Sequence, residues 1–125
     1  MNKYGFDEAA WQAAKQEARD KLIQVARRGD TIAYSDLVTH IRSINIEHHD
    51  PRLAHFLGEI SEAEDTAGRG LLTAVVTHKT GDQLPGPGFF ELAQRRHRDI
   101  SDLYRCWATE VARVHAYWAN RQQGT

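Results

Sequence analysis

Leu71-Leu72-Thr73-Ala74-Val75-Val76-Thr77-His78-Lys79 is an apolar, β-branched run that ends abruptly on a polar tip. Turn residues bound it, with Gly68 and Gly70 before it and Gly81-Asp82 after it. Such a run predicts a buried strand over residues 71–77. His78 to Leu84 then reads as a turn or wing. Pro85-Gly86-Pro87-Gly88-Phe89-Phe90 alternates proline and glycine before two aromatics. That loop predicts a constrained backbone that leads into a short helix from Phe89 to about Arg96.

Upstream of the run, Asp50-Pro51 joins a capping side chain to a proline suited to the first helical turn. Leu53, Phe56, Leu57, Ile60 and Ala67 then share one face, and His55, Glu59, Glu62 and Thr66 the opposite one. Glu64 falls on the apolar side. A carboxylate there should have either a cationic partner, for which Lys79, His78 and Arg69 are candidates, or a raised pKa. Thr31 to Tyr34 is β-leaning. Ser35 reads as the N-cap of a short helix to about Arg42, with Asp36 in its first turn. Residues 43–49 read as a loop.

The two ends of the chain are helical. Asp7 caps a helix to about Arg28, where Trp11, Ala14, Ala18, Leu22, Val25 and Ala26 form one stripe and Gly29-Asp30 ends it. Asp99 reads as the cap of a last helix to about residue 120, with Asp102 three residues on. Its stripe is Ile100, Leu103, Tyr104, Trp107, Val111, Val114 and Trp118, and it is expected to pack on the first helix. Arg121 to Thr125 is expected to fray.

This order predicts a mainly α protein with a small β-sheet, an α+β fold. The outline is a winged helix-turn-helix-like core over 31–90, flanked by helices over 7–28 and 99–120, within a single domain over 1–125. The 125 residues carry a net charge of −1, which argues against a protein that coats nucleic acid broadly but leaves room for a local patch. The single cysteine, Cys106, rules out an internal disulfide and a multi-cysteine zinc site. No apolar run approaches the roughly 18 residues of a membrane span, so no membrane association is expected and a cytoplasmic location is. His48-His49 with His40 or His55 matches no zinc spacing, and a His55-Glu59-Glu62 triplet is the pattern of a solvated helix face. No metal or cofactor is expected.

Four pieces occur in the order found in a known family. Ile32-Ala33-Tyr34-Ser35-Asp36-Leu37-Val38 resembles the T-Y-G-E-I-A segment of O6-alkylguanine-DNA alkyltransferases and alkyltransferase-like proteins. His55-Phe56-Leu57-Gly58-Glu59-Ile60 is similar to their R-A-V-G-x-A helix. Val76-Thr77-His78-Lys79 falls where they carry P-C-H-R, and Gly86-Pro87-Gly88-Phe89-Phe90 where they carry a G-G-Y turn. The stretch also resembles an uncharacterised bacterial family with G-E-I-S and P-G-x-G-F-F motifs. The first resemblance implies a DNA-binding winged helix. It places Thr77 at the nucleophilic cysteine and His55 at the base-flipping arginine. A threonine hydroxyl is a far weaker nucleophile than a thiolate, so the implied module binds without alkyl transfer.

The expected nucleic-acid contacts are therefore Tyr34, Ser35, His55, His78, Lys79, Arg95, Arg96 and Arg98. Gly86 and Gly88 form a candidate anion-binding loop. Double-stranded DNA is the expected partner. Two alternatives stay open. One is a protein-interaction module of a bacterial defence or toxin system, suggested by the near-neutral charge and the acidic Glu59–Asp65 helix. The other is a small hydrolase or nuclease using Glu59 or Glu64 with His78 and Lys79. Monomer and homodimer are both compatible with the sequence.

Overall fold

The computed structural model describes residues 2–119. The expected frayed tail, Arg121 to Thr125, lies outside them. A two-residue hairpin opens the chain: β1 (Asn2–Lys3) pairs antiparallel with β2 (Phe6–Asp7). Its turn places Tyr4 at φ 53° and Gly5 at φ 87°, both left-handed, as the tight hairpin turn requires. The sequence reading did not anticipate this hairpin. The helix α1 (Glu8–Arg27) follows, and Asp7 caps it by accepting the Ala10 N–H at 3.0 Å.

The strand β3 (Ile32–Ala33) leads into α2 (Tyr34–Leu37) and a 3₁₀ turn over Val38–His40. The residue before α2 is Ala33, which offers no capping side chain, and Ser35 lies inside the helix instead of capping it. Next comes α3 (Arg52–Thr66), where the Asp50 carboxylate accepts the Arg52 N–H at 2.9 Å. The segment expected as a strand over 71–77 is buried throughout, but most of it is a 3₁₀ turn (Leu72–Val75). Within it only β4 (Val76–Thr77) is strand, and it pairs parallel with β3, Ile32 opposite Val76 and Ala33 opposite Thr77. Parallel strands need a long crossover, here supplied by α2 and α3. Residues 78–84 form a loop closed by the His78 N–H on the Leu84 carbonyl at 2.9 Å, with no strand ladder.

The helix α4 (Pro87–Arg95) begins on the Pro-Gly loop, two residues earlier than expected. The last helix, α5 (Leu103–Ala119), starts on Asp102, whose carboxylate accepts the Arg105 N–H at 3.0 Å. Asp99 instead accepts the Ser101 N–H in the preceding turn. The result is mainly helical with two very short sheets, the expected α+β class.

One core gathers Trp11, Leu22, Phe56, Leu72, Val75 and Val114 from α1, α3, the 3₁₀ turn and α5. A smaller one gathers Leu71, Phe89, Phe90, Leu92 and Cys106 around α4. As expected, α5 packs on α1. Its stripe is not wholly buried: Val114 is fully inside, but Leu103 and Tyr104 are exposed.

Two carboxylates are buried with their cations. Glu64 is 2% exposed and receives Arg19 and Arg69, each at 2.6 Å. Burial alone would raise its pKa; the hydrogen bonds from Arg69 and Arg19 outweigh it and hold the group below its usual value. Glu110 is 1% exposed. It accepts the Leu71 N–H at 2.8 Å and the Nε and Nη2 donors of Arg98 at 2.9 Å each, tying α5 to the start of the 3₁₀ turn.

Candidate functional site

The N-terminal ends of α3 and α4 stand side by side because Gly88 permits close approach. A Cβ on Gly88 would lie 3.1 Å from that of Ala54. Between the two helices opens a cleft of about 340 Å³, within the size range of small-ligand pockets. Leu53, Leu57, Phe89 and Leu92 line it with apolar surface, Gly58 leaves room in its α3 wall, and Tyr34, His48, His49 and His78 supply polar groups.

Three separate segments meet there. The Gly86 N–H donates to the Tyr34 hydroxyl oxygen at 2.8 Å, pinning the Pro-Gly loop to α2. Burial raises the Tyr34 pKa against the opposing effect of that bond, so the phenol stays protonated near neutrality. His78 sits against Tyr34 with ring centroids 5.3 Å apart. A Cβ on Gly86 would lie 3.6 Å from both His78 Nε2 and the Tyr34 hydroxyl. Asp82 approaches the other imidazole nitrogen, Nδ1, at 3.8 Å. Asp50, also on the cleft wall, is neutralised by Arg52 at 2.6 Å. Hydrogen bonds from Arg52 hold the Asp50 carboxyl down to about 2.

Tyr34 and His78, from the expected nucleic-acid set, thus meet Gly86 and Gly88, from the expected anion loop, in one cleft. The anion-loop expectation is altered, since the Gly86 amide is already used by Tyr34 and Pro87 at the next position has no N–H. Ser35 does not line the cleft. Lys79 borders a neighbouring recess with Thr77 and His78, and its ammonium lies 3.8 Å from Asp36. His55 does not line the cleft either; it stacks on Tyr4 of the N-terminal hairpin at 4.8 Å.

The basic run is split. Arg95 is exposed at the end of α4. Arg96 binds Asp65 at 3.0 Å, and Arg98 bridges Asp65 and Glu110 at 2.8 and 2.9 Å. These two arginines hold α3, α4 and α5 together and do not present a cationic face. Glu59 and Glu64 do not converge with His78. Glu59 accepts the Trp11 indole N–H and Lys15, both at 2.9 Å, while Glu64 holds Arg19 and Arg69. Both carboxylates face α1, and neither lines the cleft.

No family model matches this chain, and no curated protein or solved structure matches it significantly.

The sequence reading missed the polar groups His48 and His49 as cleft residues. They lie on the irregular segment before α3, where no periodicity orients side chains. Among the described residues no group of three or more histidine, cysteine or acidic side chains is arranged to hold a metal ion. No helix there is long and apolar enough to cross a membrane.

Proposed function

We propose that this chain is a non-enzymatic DNA-binding module of alkyltransferase-like character, whose cleft between α3 and α4 receives a nucleobase. The observation that carries the reading is the convergence of Tyr34, His78, Gly86 and Gly88 on one mostly apolar cavity. These are the positions at which three of the four resembling segments fall. A base has flat apolar faces and a polar edge, and the cleft offers apolar walls with a phenol and imidazoles. Thr77, at the position of the family's nucleophile, does not line the cleft. The carboxylates that a hydrolytic mechanism would draw on are tied to α1. Both facts favour recognition over bond breaking.

The test is a binding titration of labelled DNA across a salt series. With Arg96 and Arg98 engaged internally, Lys79 and Arg95 remain from the expected cationic set. Two phosphate contacts give a slope of log K against log salt of about −2. A slope near −4 would show all four basic residues at work and refute this geometry. Absence of binding at low salt would refute the function itself.

A further inference from the structure

Leu103 and Tyr104 open α5 with 45% and 64% of their surface exposed. Trp107 follows within one turn, and its indole N–H donates to the Ala74 carbonyl at 2.8 Å, which fixes the ring. The Tyr104 ring lies 5.7 Å away at an interplanar angle of 58°. Both aromatics line the recess beside β4 whose other walls include His78 and Lys79. His78 also lines the cleft, so that one side chain stands between shelf and cleft. The Lys79 side chain is 68% exposed, and Asp36 approaches it only at 3.8 Å, so a phosphate can compete for it.

A duplex is held chiefly by a row of cations on its phosphates. This molecule spends Arg96 and Arg98 on Asp65 and Glu110, which leaves Lys79 and Arg95 from the expected set, and Lys79 has Asp36 at 3.8 Å. An unpaired strand also needs cations along its backbone, but its base faces, unlike those stacked inside an intact duplex, are free to lie on aromatic side chains. We infer that the Tyr104–Trp107 shelf stacks the bases of an unpaired strand next to the base held in the cleft, with Lys79 on the phosphate between them. The partner is then single-stranded nucleic acid rather than intact duplex. The inference rests on the nucleic-acid reading of the cleft and names its substrate class.

Trp11 and Trp118 are 0% and 7% exposed, so quenching of indole fluorescence by added bases reads Trp107. The full chain is titrated with a short thymidylate oligomer and with a blunt duplex of the same length. The oligomer should quench the signal and bind more tightly than the duplex. Tyr104→Ala, at an exposed position, should weaken oligomer binding roughly 5- to 150-fold, the range expected for loss of one base–aromatic stack. Tighter or equal duplex binding overturns the inference. So does a Tyr104→Ala variant that binds the oligomer unchanged, or one that only dissociates a dimer in sedimentation, which would make the shelf a protein contact. If Gly58→Phe, which fills the cleft, weakens binding while Tyr104→Ala does not, the cleft reading stands and the shelf falls. If neither oligomer nor duplex binds at low salt, both fall.

Discussion

Gly58 separates what the fold requires from what the cleft requires. It lies mid-helix in α3 outside the left-handed region, and a Cβ there meets nothing within 4 Å. Glycine in a helix interior is costly relative to alanine. Gly58→Ala should therefore raise stability by about 0.5–1 kcal/mol in a denaturant titration, and a loss would mean that the cleft wall is tighter than described. Gly88 is the contrasting case, because Ala54 of the facing helix occupies the space a side chain would need. Tyr34 serves the site through its oxygen. Tyr34→Phe keeps the ring but strands the Gly86 N–H, at a cost of about 1–3 kcal/mol. Faster amide exchange at Gly86 and weaker ligand binding should accompany that loss; unchanged exchange would show that the hydroxyl does not pin the loop.

The helices were mostly legible because their signals are local. Asp7 caps α1, Asp50 supports the start of α3, and the Pro-Gly loop leads into α4. The segment over 71–77 was not legible in the same way. A fully buried run is apolar whether its backbone is extended or 3₁₀, and here the Ala74 N–H turns back to the Leu71 carbonyl. Burial was read correctly and conformation was not. Asp99 and Asp102 both suit a cap, and only the backbone shows that Asp102 is used. The reasoning that marked Glu64 as misplaced applies equally to Glu110, which shares the α5 side of Trp107 and Val114. It would have found the second buried carboxylate. Glu110 holds Arg98 and the Leu71 N–H at once. Glu110→Ala should cost about 1–3 kcal/mol in equilibrium unfolding, since it strands the buried Leu71 N–H and leaves half-buried Arg98 with Asp65 as its carboxylate partner. A cost below about 1 kcal/mol would place the Asp65–Arg98 pair in sole charge of that junction.

Over the described residues the molecule is an assembly of helices pinned by internal ion pairs, with an open cleft between α3 and α4. Glu64 and Asp65 both have folded pKa values below their ordinary ones. Groups shifted downward contribute stability that is fully present above the unfolded values of about 4 and is lost as pH falls through the folded ones. These two carboxylates should thus leave stability unchanged from neutral pH to about 5 and lower it below about 4.5. A profile that rises on acidification would contradict the ion-pair assignments. The candidate site was legible in part as residues and not as a cavity. Tyr34, His78 and the Pro-Gly loop carried sequence signals, but the use of Arg96 and Arg98 as internal struts depends on contacts with Asp65 on α3 and Glu110 on α5. Periodicity within one helix cannot report such contacts.

The cleft as a nucleobase site is the claim on which the functional account turns. Comparing Gly58→Phe with Gly58→Ala in DNA titrations under identical low-salt conditions tests it most directly, because the first fills the cavity and the second adds only a methyl group. The account predicts that the phenylalanine variant remains folded and loses binding at least about tenfold, a change of about 1.4 kcal/mol, while the alanine variant binds close to normally. Equal affinity of a folded phenylalanine variant and the parent would contradict it.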